Sequence, residues 1–129
     1  MENEIKIKLK SGEIIFSYIC ENNTIKKTVE EAVKKGISLR DADLRGSNLQ
    51  KANLCKANLC GADLYGVNLY GAKLCYANLA YTDLSKVNMH KANMYKADLY
   101  GAYLYKTNLK KADLRNVDFR CAELFLVNI

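Results

Sequence analysis

A single histidine, His90, serves a chain of 129 residues. No His-rich metal cluster is possible, and any Ser/His or Cys/His pair would need that one side chain. As an outward residue of a repeat, His90 is expected to be solvated. Glycine-rich phosphate loops are also missing, because Gly46, Gly61, Gly66, Gly71 and Gly101 stand singly where a phosphate cradle needs them clustered. There is no run of about 18 apolar residues and no basic stretch followed by an apolar core at the start, so nothing reads as a membrane span or secretory signal, and the cytosol is the expected compartment. The five cysteines are odd in number and form no CxxC pair, which fits reduced thiols better than a disulfide framework or structural zinc. What remains, 50% apolar and 26% charged residues, suits one soluble domain. Lys and Arg number 20 against 14 Asp and Glu, a net +6, which permits an acidic partner without specifying one.

From Ile37 onward a large apolar residue recurs at every fifth position, from Leu39 and Leu44 through Met89 and Met94 to Phe119, Leu124 and Ile129, 19 times without an insertion. Two residues before each stands a small or β-branched residue, Ala in 11 of the 19, and between them Asn or Asp in 15. The unit is A-(N/D)-L-x-x. Neither regular element keeps such leucines together. On an α-helix at about 100° per residue, five residues overshoot a turn by about 140° and wind the leucines round every side. In a straight strand side chains alternate, so an odd period sends successive leucines to opposite faces. A chain that turns once per repeat keeps Leu and Ala inside, and such extended pieces joined by corners stack into a solenoid. Ser47, Val67, Val87, Thr107 and Val127 replace Ala at intervals of 20, each followed by Asn, and Asp43, Asp63, Asp83, Tyr103 and Glu123 form a second column at that interval. Four repeats per coil predict a square cross-section, about 4.75 coils, and a rod a little over about 20 Å long.

These tandem repeats resemble the pentapeptide-repeat family over residues 37–129. The resemblance implies an all-β solenoid, a right-handed quadrilateral β-helix, with Leu and Ala inward and the other three positions facing solvent. Lys73, Tyr103 and Glu123 depart at the Asn/Asp position and Thr82 and Thr107 at the small position, which bears on corner geometry rather than on fold.

Residues 1–36 lack the repeat. Ile5, Ile7 and Leu9 alternate with Lys6, Lys8 and Lys10, and after a Ser11-Gly12 turn Ile14, Phe16 and Tyr18 alternate, which predicts a hairpin. Thr24 is the expected N-cap of a helix carrying Ile25, Val29, Ala32 and Val33 on one face and Lys34 and Lys35 near its end, with Gly36 terminating it. Hairpin and helix are expected to cover the open edge of the first coil. At the other end Phe119, Leu124, Phe125, Leu126, Val127 and Ile129 are more apolar than the body, so a homodimer through the C-terminal coils is expected.

The outward positions show little catalytic chemistry. Cys55 and Cys75 stand one coil apart in one column with Cys60 a corner away, an arrangement open to soft-metal binding or oxidation but also to simple repeat duplication. Cys20 and Cys121 have no evident partner. The Asp43, Asp63, Asp83 column stacks like charges about 4.8 Å apart, which water, cations or nearby lysines must relieve. Lys51, Lys56, Lys86, Lys91, Lys96, Lys106 and Lys111 fill last places of repeats, interleaved with tyrosines. Of these, Lys86, Lys91, Lys96, Tyr95, Tyr100 and Tyr105 are the candidate partner surface, although a square section spreads them over several faces. The expected function is a non-catalytic scaffold that binds another protein, with no cofactor and no metal. Binding of nucleic acid or an anionic surface through the lysines is the alternative. Some relatives mimic DNA and bind type II topoisomerases, but such mimics are acidic, whereas this repeat body carries 13 Lys and Arg against 8 Asp and Glu, a net +5.

Overall fold

A computed structural model describes residues 1–129. Two antiparallel strands, β1 (Glu2–Leu9) and β2 (Ile14–Glu21), precede one helix, α1 (Ile25–Lys34). The rest of the chain is a coil of short bridges, with β3 (Ala42–Asp43), β4 (Tyr103–Tyr105) and β5 (Glu123–Phe125) as its only longer pieces. Each bridge joins residues 20 apart in parallel, as in Asn48 to Asn68 and Asn68 to Asn88, so four repeats make one turn of the solenoid.

Most corners are made by the same local chemistry. Asn or Asp at the second place of a repeat accepts, through Oδ1, the backbone N–H two residues on, 14 times at 2.9–3.3 Å. These short side chains close a local turn on their own backbone. The fifth place of every repeat from Asp41 to Leu126 has φ between 54° and 70°, the left-handed region required at the third residue of a type II turn. Glycine meets that requirement without strain, and at Gly101 an added Cβ would also come within 2.8 Å of the Tyr81 ring, which would have to move. Lysine occupies the same conformation seven times, so at those corners the coil holds a backbone that is uncommon for a residue with a Cβ.

The departures from the motif separate into two kinds. At Lys73 the following corner keeps its turn, with Ala77 N–H donating to Leu74 O at 3.0 Å. After Tyr103 and Glu123 no such bond forms at Thr107 or Val127, and the chain instead runs as the extended strands β4 and β5. The two threonines at the small position are satisfied inside, Thr82 Oγ1 donating to Leu79 O and Thr107 Oγ1 to Leu84 O, both at 2.7 Å.

Small and large apolar positions point inward and form one core from Ile7, Val29 and Ala32 through Leu39 to Leu109. β1 pairs antiparallel with β3, Leu9 opposite Ala42, and Lys10 N–H donates to Asp41 O at 3.0 Å. A bulge at Ile7/Lys8 sets Phe16 opposite Ile7 and Ile14 opposite Lys8. The extra residue, Ile15, packs on the core with Phe16 while Ile14 is exposed, as a bulge re-aims side chains. Thr24 Oγ1 accepts the Lys27 N–H at the start of α1, and Gly36 follows its end with φ 71°. Glu30 on α1 accepts the backbone N–H of Asn53 at 2.9 Å.

Candidate interaction surfaces

Residues separated by 20 stack at one corner, and residues separated by five fall on successive corners. One corner carries Cys55, Lys56, Cys75, Tyr76, Tyr95, Lys96 and Arg115. There Tyr76 meets Tyr95 edge-on at 5.8 Å, and Lys96 and Arg115 lie over the Tyr95 ring at 5.4 and 5.3 Å. The next corner repeats the theme, Tyr81 edge-on to Tyr100 at 5.6 Å with Arg120 over Tyr100 at 5.8 Å. Between them runs the column Ser38, Asn58, Asn78, Asp98, Asp118. Tyr76 and Tyr81 are 50% and 61% exposed, so this face offers two aromatic ridges to solvent.

The arginines are neutralised in place. Arg45, Arg115 and Arg120 each grip the aspartate two residues earlier through two nitrogens at 2.7–3.0 Å. Those hydrogen bonds hold the Asp43, Asp113 and Asp118 carboxyls below the usual aspartate range. Arg45 also reaches Asp63 at 3.7 Å, which relieves the stacked charge of that column. On a third corner Lys86 lies over Tyr65 at 5.5 Å, and the phenol beside it holds its ammonium above the usual lysine range.

No helix is long and apolar enough to cross a membrane. A family model for pentapeptide repeats, in 8 copies, matches residues 37–74, 68–104 and 97–124. The chain belongs to the pentapeptide-repeat family. Members of that family form right-handed β-helices. Among solved structures it is similar to HetL of the cyanobacterium Nostoc sp. PCC 7120, a pentapeptide-repeat protein involved in regulating heterocyst differentiation. The identity is 38% over 63% of this chain and 38% of HetL, at a TM-score of 0.62. A second Nostoc pentapeptide-repeat protein is 33% identical over 73% of this chain and 74% of its own, with a TM-score of 0.61. A thylakoid-lumen member from Arabidopsis thaliana is 31% identical over 60% of this chain and 57% of its own, with a TM-score of 0.54. This chain therefore spans well under half of HetL and little over half of the plant protein. No curated protein sequence matches it.

On this pentapeptide-repeat rod the six residues of the candidate partner surface are spread over all four corners, as a square section implies. Tyr95 and Lys96 share a corner, Tyr100 is on the next, Lys86 and Tyr105 on the third and Lys91 on the fourth. Spacing of five moves a residue round the rod, and only spacing of 20 stacks it. Arg115 and Arg120 were missed, and Tyr76 and Tyr81, near the tyrosine cluster in sequence, fall outside the candidate set, although the interval of 20 applied to the fourth and fifth places groups all four. Phe119, Leu124, Phe125, Leu126, Val127 and Ile129 do gather at one end, where Leu124, Phe125, Leu126 and Ile129 are 48–75% exposed and Phe119 and Val127 half-buried. Phe125 stacks on Tyr105 at 5.7 Å. The expectation of reduced thiols fails for one pair. Cys55 and Cys75 form a disulfide between successive coils, because the in-register ladder brings their Cα atoms to 4.7 Å, within disulfide reach. Cys60 stays apart, buried, with Arg40 Nη1 donating to its sulfur at 3.5 Å. His90 is half-buried and stacked on Tyr70 at 5.6 Å rather than freely solvated.

Proposed function

We propose that the chain is a non-catalytic scaffold that docks another protein on the face between the two tyrosine–arginine corners. The observation that carries this reading is the pair of parallel ridges, Tyr76–Tyr95 and Tyr81–Tyr100, each topped by an arginine. Tyrosine and arginine are the side chains enriched where proteins bind proteins, and the rod holds them at fixed spacing with little entropy left to lose. The decisive experiment is capture of partners from nuclease-treated lysate by wild type and by a Tyr76→Ala/Tyr81→Ala variant. A near-stoichiometric, salt-resistant protein lost with the variant is the expected result. Its retention by the variant refutes this face, and recovery of nothing but salt-labile material refutes a protein partner.

The hairpin and α1 act in this reading as the cap of the first coil, as their pairing to β3 and the Glu30 bond to Asn53 support. The opposite end associates two-fold with a second copy. Backbone N–H groups of Leu114, Asn116, Phe119 and Cys121 donate to no backbone carbonyl, and exposed apolar side chains surround them, a combination that invites edge pairing. Light scattering is expected to give a dimer that Phe125→Asp converts to monomer. A monomeric wild type removes the idea. The net +5 of the repeat body argues against DNA mimicry toward a topoisomerase.

A further inference from the structure

One face of the rod differs from the other three in charge. It runs along the column Asn48, Asn68, Asn88, Asn108, Asn128, between a corner bearing Arg45, Lys86 and Lys106 and a corner bearing Lys51, Lys91, Lys110 and Lys111. No Asp or Glu occupies any outward position of this face or its corners, whereas Asp43, Asp63 and Asp83, Asp113, or Asp98 and Asp118 stand on each of the others. All six lysines are exposed, and none belongs to an ion pair. Arg45, at the first of these corners, is bound to Asp43 and Asp63 of the adjacent face, and Arg115 and Arg120 are tied to carboxylates elsewhere, so six of the nine lysines of the solenoid gather on a face with no carboxylate of its own.

The asparagines sharpen the chemistry. Oδ1 of Asn48, Asn68, Asn88 and Asn108 is engaged by the backbone N–H two residues on. What each amide turns outward is its NH2, and only that of Asn108 has an acceptor in the protein, Asn88 Oδ1 at 3.4 Å. The face is therefore a surface of hydrogen-bond donors, ammonium at its borders and amide along its middle, repeated about every 4.8 Å along the rod. Tyr70 and His90 stack at one border with Lys91 over the Tyr70 ring. Lys26, at the start of α1, adjoins Lys51, Asn48 and Gln50 across a shallow pocket and extends the positive strip.

We infer that this asparagine-and-lysine face binds the phosphodiester backbone of nucleic acid without reading its sequence. A donor-rich, carboxylate-free surface with regular spacing fits a partner that is acceptor-rich, anionic at every unit and regular itself, and backbone phosphates are met by lysine and by asparagine amides. Rings interleaved with the lysines add sites for sugar or base contact. A bilayer fits less well, since the exposed aliphatic side chains of the molecule lie on the hairpin and the last coil rather than between Lys51 and Lys111. The inference is independent of the protein-docking reading, which uses the face between the other two corners.

Fluorescence anisotropy of a labelled oligonucleotide of about 20 units, single-stranded and duplex, tests it on the intact protein. With about four phosphates neutralised, duplex affinity is expected to fall on the order of 100-fold between about 50 and about 200 mM salt. Lys86→Glu/Lys91→Glu/Lys111→Glu is expected to weaken binding at least about 10-fold more than Lys56→Glu/Lys73→Glu/Lys96→Glu, which changes net charge equally on other faces. Equal losses in the two triples overturn the inference, as does absence of wild-type binding at low salt. Tighter binding of poly-glutamate or of phosphatidylserine vesicles than of either oligonucleotide also overturns it. Thermal melts report whether each triple is folded, and Lys91→Glu against Lys73→Glu makes the same comparison if one is not. Loss of a captured protein partner with Tyr76→Ala/Tyr81→Ala leaves these outcomes untouched, so the two readings fail separately.

Discussion

Replacing Leu79 by aspartate is expected to prevent folding, and the size of the effect follows from its position in the coil stack. Leu79 is fully buried, with Leu59 and Leu99 in the same column one coil to either side, both buried as well. Truncation to alanine leaves a cavity that costs about 2–5 kcal/mol. Aspartate loses the same apolar burial and adds a charge to a leucine-and-alanine interior in which the threonines at the small position, Thr82 and Thr107, already donate to backbone carbonyls. Stranding an uncompensated charge costs several kcal/mol more, and protonation only exchanges it for an unsatisfied acid. The sum is comparable to the whole stability of a domain, about 5–15 kcal/mol. Because each coil touches only its neighbours, a defect at mid-rod also uncouples the two halves. Circular dichroism melts and size exclusion should find Leu79→Asp unfolded or aggregated, Leu79→Ala cooperative but weakened, and Leu79→Met within about 1.5 kcal/mol of wild type. Lys91→Glu, outward at a corner, should melt like wild type. A soluble Leu79→Asp that melts cooperatively near the wild-type temperature would refute the inward assignment of the repeat.

The Cys55–Cys75 disulfide closes a loop of 20 residues, which corresponds to about 3 kcal/mol of stabilisation. Reductant or Cys75→Ser should lower stability in urea by that order, Cys121→Ser should not, and an unchanged urea midpoint on reduction would exclude the link. Asn78→Ala removes the acceptor for Ala80 N–H and should cost about 1 kcal/mol, whereas a cost near zero in a urea melt would mean that the corner holds without it. Asp43, Asp113 and Asp118 titrate below the usual aspartate range in the folded chain because of the arginine hydrogen bonds. The unfolded chain therefore takes up their protons first as pH falls, and stability present above about pH 4 is lost as pH drops through the lowered folded values. Asp113→Asn/Asp118→Asn should flatten that acid limb in pH-dependent melts, and an unchanged limb would count against the pairing.

The solenoid was legible because its signal is redundant. Leucine at every fifth position rules out helix and flat strand together, and the recurrence of Asn48, Asn68, Asn88 and Asn108 at intervals of 20 gives the four-repeat coil that the bridges show. The hairpin and α1 were legible from alternation and capping residues, but the bulge that turns Ile14 outward was not, since it depends on tertiary contact of Ile15 and Phe16 with the core. The disulfide was half legible: the interval of 20 put Cys55 beside Cys75 and left oxidation open, but the cysteine count argued for reduced thiols. Odd cysteine number and missing CxxC motifs describe chains whose cysteines meet across loops, whereas a ladder brings Cys55 to Cys75 by register alone. Surface function was the least legible. Lysines and tyrosines drew attention as a composition, and composition does not say which corner a residue occupies.

Four corners and a filled interior constrain what such a rod can do. The inward positions are committed to packing, and the second place of each repeat is largely committed to closing its own turn, which leaves the fourth and fifth places as the main carriers of specificity. Those places change from coil to coil without disturbing the core, so each face evolves its own chemistry while the backbone holds the spacing constant. The contrast between the aspartate-bearing faces, whose carboxylates bind Arg45, Arg115 and Arg120, and the asparagine face, which has no carboxylate of its own, is what such independence would produce. Recognition by this protein is therefore a matter of which column faces the partner, and side-chain exchanges between columns, at constant composition and net charge, should move binding from one face to another.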